Sequence, residues 1–213
     1  MFQKFKYVHL CYYCNSVPNE KKFGVIKNMK ITVLNGSPKG DLSVTMQYIY
    51  YIQQNFPQHE FKILNVSQKI KKLESNQKLF HEIVNEINNS DGIIWGFPLY
   101  VMVVPSQYKR FIELISERDV EEVFKNKYSA ILTTSIHFYD HTGVNYLHAI
   151  CDDLNMKFTG YFSADMDDLL VEKGRTKLKQ FFENFIYSIE NNEPTIRYNS
   201  PINNKEVKYN PSA

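Results

Sequence analysis

The chain has 213 residues, 43% of them hydrophobic and 15% aromatic, enough for one domain with a sizeable core. Its 25 basic and 23 acidic side chains are interspersed and leave a formal charge of only +2, which argues against a nucleic-acid face. No apolar run approaches the roughly 20 residues needed to span a bilayer, and three cysteines make no disulfide framework. The expectation is a cytoplasmic protein with no membrane and no nucleic acid among its partners.

Residues 1–28 stand outside any regular rhythm and read as an N-terminal extension. They carry basic residues and a short apolar patch, without the longer apolar stretch and small-residue cleavage site of a signal peptide. Cys11 and Cys14 form a Cys-x-x-Cys in this extension. A redox pair of that kind belongs at the start of a helix that follows a strand. This one precedes the first strand, and two thiols alone cannot complete a four-ligand cluster.

From residue 30 onward strands and helices alternate. Lys-Ile-Thr-Val-Leu-Asn is a continuous apolar strand of the kind buried on both faces. Val44, Tyr48, Ile49 and Ile52 recur at helical spacing to about Asn55, where Phe56-Pro57 closes the helix. Residues 60–66 form a second strand. Ser75 is the expected cap of a helix carrying Leu79, Ile83, Val84 and Ile87. Residues 92–97 make a third strand, and Pro105 opens a helix running to about Ser116. A fourth strand over 128–136 leads to a helix near 145–154, which places Cys151 in the core. A fifth strand over 157–163 and a last helix over 174–190 complete the series. Residues 191–213 are polar, contain three prolines, and read as an extended tail docked on a neighbour.

Five strands alternating with helices imply an α/β domain over 29–190, with a parallel sheet covered on both faces. The absence of a sixth strand favours the flavodoxin-like order 2-1-3-4-5. In such sheets ligands bind beyond the carboxyl ends of the strands where the order reverses, here between the first and third strands. The loops at residues 36–45, 97–105 and 134–143 are therefore where a site should form. In the first, Ser37, Ser43 and Thr45 offer hydroxyls in front of a helix N-terminus, which suits an anion such as a phosphate. An ordinary helix capped by Ser43 is the plainer reading. Neither the Walker spacing nor the Gly-x-Gly-x-x-Gly fingerprint is present. In the second, Leu99, Tyr100, Val101 and Met102 form an apolar surface that needs a cover: a flat ring, a neighbouring subunit, or both. In the third, His137, Asp140, His141 and His148 lie close in sequence, but their spacing matches no metal signature.

Taken together, Asn-Gly-Ser-Pro-Lys-Gly-Asp-Leu-Ser-Val-Thr, the Ser-Asp-Gly of the third strand, and Pro-Ser-Gln-x-Lys-x-Phe-Ile resemble the flavodoxin-like NAD(P)H-dependent FMN reductases, including their iron-sulfur flavoprotein branch. The likeness covers residues 29–190. It implies FMN as cofactor and NAD(P)H as co-substrate. By position, it implies Ser37, Lys39, Ser43, Val44 and Thr45 around the phosphate, and Pro98, Leu99, Tyr100 and Val101 along the isoalloxazine. Thr134, Ser135, Ile136 and His137 would flank the ring, with His137 and Tyr100 in contact with substrate. Two departures stand out. The compact Cys-x2-Cys-x2-Cys cluster motif is missing, and Asp41-Leu42 replaces a small pair in the phosphate loop. The expected activity is electron transfer from a nicotinamide to a small acceptor such as a quinone or flavin, in a homodimer or tetramer. The alternative is a flavodoxin-type electron carrier with a protein partner, although carriers of that type are usually strongly acidic.

Overall fold

The computed structural model describes residues 27–137 and 139–200. Cys11, Cys14, Phe138 and the last part of the tail lie outside the described residues. Five parallel strands, β1 (Lys30–Asn35), β2 (Glu60–Leu64), β3 (Gly92–Pro98), β4 (Tyr128–Ser135) and β5 (Lys157–Asp165), pair in the order β2-β1-β3-β4-β5. Register is regular except for one irregularity at Ser129/Ala130, where β4 meets the edge strand β5.

Among the described residues, six α-helices cover the two faces: α1 (Val44–Asn55), α2 (Ile70–Ser75), α3 (Gln77–Asn88), α4 (Ser106–Glu117), α5 (Asp140–Asp153) and α6 (Glu172–Glu190). The period-2 alternation of the strands sorts the core into two layers. Ile93, Trp95, Phe97 and Ile131 face α2 to α5, packing on Phe80, Phe111, Leu147 and Cys151. Ile31, Val33, Ile94 and Leu132 face α1 and α6, packing on Met46, Ile49, Phe182 and Phe185. Cys151 is a buried core thiol, and burial pushes it up to about 12, which leaves it inert at neutral pH.

Local chemistry moves several boundaries from their expected places. Asn76, and not Ser75, caps α3, its side chain accepting from the Leu79 N–H at 3.0 Å. Ser75 instead ends α2, a short helix with no sequence signal strong enough to separate it, and donates back to the Lys71 carbonyl. Pro105 sits just ahead of α4 as its cap residue. Helix α5 begins at Asp140, five residues before the expected start, because polar Asp140, His141 and Thr142 hide its first turn. Neither Asp140 nor Thr142 caps it; Tyr139 is the cap residue and makes no side-chain cap bond. The edge strand β5 runs on to Asp165.

Residues 191–200 of the tail, expected against a neighbour, lie on α5 of their own chain. The buried Asp152 Oδ2 accepts from the Tyr198 N–H, the Asn199 N–H and Asn199 Nδ2 at 3.1, 2.8 and 2.8 Å. Arg197 adds a bond to Asn155 Oδ1 at 3.0 Å. Three donors explain how a carboxylate only 3% exposed is tolerated.

Candidate active site

At the carboxyl ends of β1, β3 and β4 lies a cavity of about 530 Å³. It falls within the range of roughly 300–1,000 Å³ usual for small-molecule sites. Its walls are Ser37, Lys39, Leu42, Ser43 and Val44 from the β1–α1 loop, Pro98 to Met102 from the β3–α4 loop, Thr134, Ser135 and Ile136 from the end of β4, and Met166 beyond β5.

The first wall is shaped for an anion. Ser43 caps α1, its Oγ accepting from the Met46 N–H at 3.3 Å, so the plain reading of this loop holds as far as it goes. The N–H groups of Val44 and Thr45, in the first turn, have no intrahelical acceptor and carry the positive end of the helix dipole. Among the described residues, Lys39 is the single cation in the lining. Gly36 makes the loop possible: a Cβ there would sit 2.4 Å from the ring of Tyr108, whose hydroxyl donates to the Leu34 carbonyl at 2.7 Å. The path around Asp41 is also settled. Asn35 Oδ1 accepts from the Ser37 N–H, Asn35 Nδ2 donates to Asn65 Oδ1 at 2.6 Å, and Asn65 Nδ2 donates to Asp41 Oδ1 at 3.0 Å. The chain of amides draws the Asp41 carboxylate toward β2, and Asp41 takes no part in the cavity wall.

The second wall is apolar and strained. Tyr100 and Val103 bond each other's backbones in a tight turn, and between them Val101 and Met102 have φ of 45° and 69°. A β-branched residue in the left-handed region is a true outlier, the kind of strain found at functional loops. Helix α5 holds this turn from behind. Thr142 Oγ1 donates to the Met102 carbonyl. Gly143 lies flat under Leu99, where a Cβ would come within 2.6 Å of Leu99 Cδ1. The Leu99 N–H in turn donates to the Thr134 carbonyl at 2.9 Å.

The third wall leads into a polar knot outside the cavity. Asp140, at the start of α5, accepts from Ser135 Oγ and Ser163 Oγ, each at 2.6 Å, and lies 2.9 Å from His137 Nδ1. Partial burial pushes the Asp140 carboxyl up, but the bonds from His137, Ser135 and Ser163 outweigh it and hold the group below the usual carboxylate range. His137 Nε2 is 3.9 Å from Asp165. His148 is far along the helix beside Asp152, so the four clustered His and Asp residues do not converge. Among the described residues, no group of three or more His, Cys, Asp or Glu side chains is gathered as a metal site would need.

Two residues expected in the wall are elsewhere. Thr45 is fully buried, and its hydroxyl bonds Thr134 Oγ1 at 2.7 Å, bracing α1 against β4. His137 stands at the rim, one residue past Ile136. Sequence reasoning missed Leu42 and Met166 as wall residues, while Met102, expected in the apolar surface after β3, joins the wall. Leu42 and Met166 are apolar side chains in polar loops, 88% and 50% exposed, and that anomaly was the available signal.

A second cavity of about 660 Å³ opens at the amino ends of the strands, among Lys27, Lys125, Lys127, Lys157 and Tyr128. Three of its lysines are engaged: Lys127 donates to the Asn88 and Ser90 carbonyls, Lys157 lies over the Tyr128 ring, and Lys125 pairs with Glu122. Open α/β sheets bind ligands at the opposite end, which leaves the smaller cavity as the site.

Residues 29–163 match the NADPH-dependent FMN reductase family. The chain belongs to that family. Its cofactor is FMN, its co-substrate is NAD(P)H, and the protein is an oxidoreductase. It is 25% identical over 189 residues to an iron-sulfur flavoprotein of Clostridioides difficile (strain 630), covering 76% of this chain and 80% of the relative. Its fold is that of an NADH:FMN oxidoreductase solved in its apo form (TM-score 0.62, 17% identity, 76% of this chain and 90% of the other). It is also that of a flavoenzyme NAD(P)H:(acceptor) oxidoreductase from Paracoccus denitrificans (TM-score 0.58, 18% identity, 76% and 98%). The residues present in this FMN reductase fit the flavin. One end of the cavity offers Lys39, two serine hydroxyls and free helix N–H groups, and the other offers a flat apolar wall.

Proposed function

We propose that the protein passes electrons from a nicotinamide to a small organic acceptor of the quinone or free-flavin class, with FMN held in the cavity at the carboxyl ends of β1, β3 and β4. In this reading Ser37, Lys39, Ser43 and the N–H groups of Val44 and Thr45 hold the phosphate. Charge-assisted bonds of that kind are the strong ones. Pro98, Leu99, Tyr100 and Val101 line one side of the ring system, and Thr134, Ser135 and Ile136 the other. Bound FMN supplies hydride and electron transfer, and the protein supplies orientation and electrostatics.

The observation that carries this reading is the open apolar mouth. Leu42, Val101 and Ile136 are 88%, 84% and 75% exposed around the cavity. Such a rim admits a planar nicotinamide and then a planar acceptor in turn, with Tyr100 and His137 beside either. It is also the surface on which a second copy would pack, making a homodimer or tetramer whose pocket is closed by the neighbour. The setting proposed is the cytoplasm.

An absorption spectrum of the purified protein, before and after anaerobic NADH and NADPH, tests the reading. Flavin bands that bleach with either nicotinamide and return on adding a soluble quinone support it. Bands that ignore both donors, or an apoprotein that takes up no FMN, overturn it. Light scattering at micromolar concentration tests the oligomer.

A further inference from the structure

At the mouth of the cavity the ring of His137 is held between two carboxylates. The charged groups that face it come from two elements: Asp140 on α5, 2.9 Å from Nδ1, and Asp165 at the end of β5, 3.9 Å from Nε2. The hydroxyls of Ser135 and Ser163 bind Asp140 and not the ring. Asp140 thus spends its remaining acceptor capacity on Nδ1, and an ionised carboxylate can only accept. This makes Nδ1 the protonated nitrogen of the neutral ring. The His137 side chain is 49% exposed while that of Asp140 is 15% exposed, so the pair has one anchored member and one that meets solvent. The backbone is shaped for this. His137 and Tyr139 both have φ of 54°, and the His137 N–H is tied to Ser135 Oγ at 2.9 Å. The neighbours of the dyad, Ile136 and Met166, are themselves cavity walls.

We propose that His137 and Asp140 form a proton-delivering dyad at the cavity mouth, in which Asp140 positions the ring through Nδ1 and His137 gives its Nε2 proton to the oxygen of a quinone-type acceptor. This rests on the reductase reading above and names the acceptor class: one whose reduction leaves charge on oxygen. The acceptor gains the hydride that NAD(P)H gives up, and NAD(P)⁺ is the oxidised product. Two-electron reduction then needs one further proton. The Nε2–H bond of the doubly protonated ring breaks, an O–H bond forms on the acceptor, and the ring is left neutral with its proton on Nδ1, still hydrogen-bonded to Asp140. Water restores the Nε2 proton. His137 is the catalytic residue of the pair and Asp140 the positioning residue.

Two measurements test the dyad. In the first, holoenzyme reduced anaerobically with NADH is mixed with benzoquinone, which takes up protons, or with ferricyanide, which takes electrons alone. His137→Gln lowers the quinone-to-ferricyanide rate ratio by about 10²-fold, the ordinary size of a general-acid contribution. In the second, ¹⁵N NMR of the apoprotein shows His137 in the Nδ1–H tautomer, and Asp140→Asn shifts it toward Nε2–H. An unchanged rate ratio in His137→Gln overturns proton delivery, and an unchanged tautomer in Asp140→Asn overturns the positioning. A wild type that neither nicotinamide bleaches overturns the reductase reading instead, while the tautomer experiment still decides the dyad.

Discussion

At each end of helix α5 an aspartate of the helix lies beside a histidine, and the two pairs have opposite fates. At its start, Asp140 gathers two hydroxyls and an imidazole at the cavity mouth, and His137 stays half exposed. At its end, Asp152 is buried under the tail and takes three N–H donors from Tyr198 and Asn199. His148 there lies 3.8 Å from Asp152 and packs against Phe158, ring centroids 4.1 Å apart. Its Nε2 is buried without a hydrogen bond. The same two residue types serve chemistry in one place and tail docking in the other. What separates them is which partner fills the carboxylate: hydroxyls that leave an imidazole facing solvent, or N–H groups of the tail that seal it in.

The strongest way to break this contrast is at the sealed end. Asp152→Ala takes the shared acceptor from three partly buried donors of the tail, and is expected to cost about 2–3 kcal/mol of stability in urea unfolding. A loss within roughly 0.5 kcal/mol, the size of an ordinary surface substitution, would mean that the tail does not dock through this group. At the open end, Lys39→Ala removes a cation from the cavity wall. FMN affinity should weaken by roughly 10- to 100-fold, as loss of a charge-assisted bond implies, read by fluorescence titration of the apoprotein.

Gly143 joins the two ends, since it lies on α5 and supports Leu99 in the cavity wall. Gly143→Ala forces a Cβ into Leu99 and should cost about 1–2 kcal/mol by overpacking, with a displaced β3–α4 loop visible as weaker FMN binding. If the variant binds FMN normally, α5 does not set the wall.

The smallest effects are in pH dependence. Burial lowers the pKa of His148, and nearby Asp152 only partly offsets this. The unfolded chain therefore binds that proton more readily. The stabilising contribution is present above about pH 6.5, the ordinary histidine value, and is lost as the pH falls through that value toward the depressed one. His148→Gln should flatten this part of the stability curve. Asp140 behaves as a depressed carboxyl: its contribution is present above about pH 4 and lost as the pH falls toward its lowered value. Asp140→Asn should remove that lower limb while leaving the one near pH 6.5.

The parallel sheet and its order were legible in the sequence because buried strands such as Lys30–Asn35 and Gly92–Pro98 are largely apolar on both faces, and each is followed by a helix of recognisable period. The β1–α1 loop was legible as a helix start too, since small hydroxylated residues between a buried strand and a helix suit a cap, and Ser43 caps α1. Tertiary contacts decided the rest. Thr45 turns from the cavity to Thr134 because a hydroxyl at 0% exposure has to find a partner, and the nearest one lies 89 residues away. Leu42 and Met166 join the wall because two loops far apart in sequence end at the same edge of the sheet. Which of the two His–Asp pairs stays open was decided by the tail folding back over one end of α5. The sequence by itself determined what each segment can form. Only the packed structure decided which polar groups were left free to act, because each hydrogen bond across the fold spends a donor or an acceptor that no local pattern can account for.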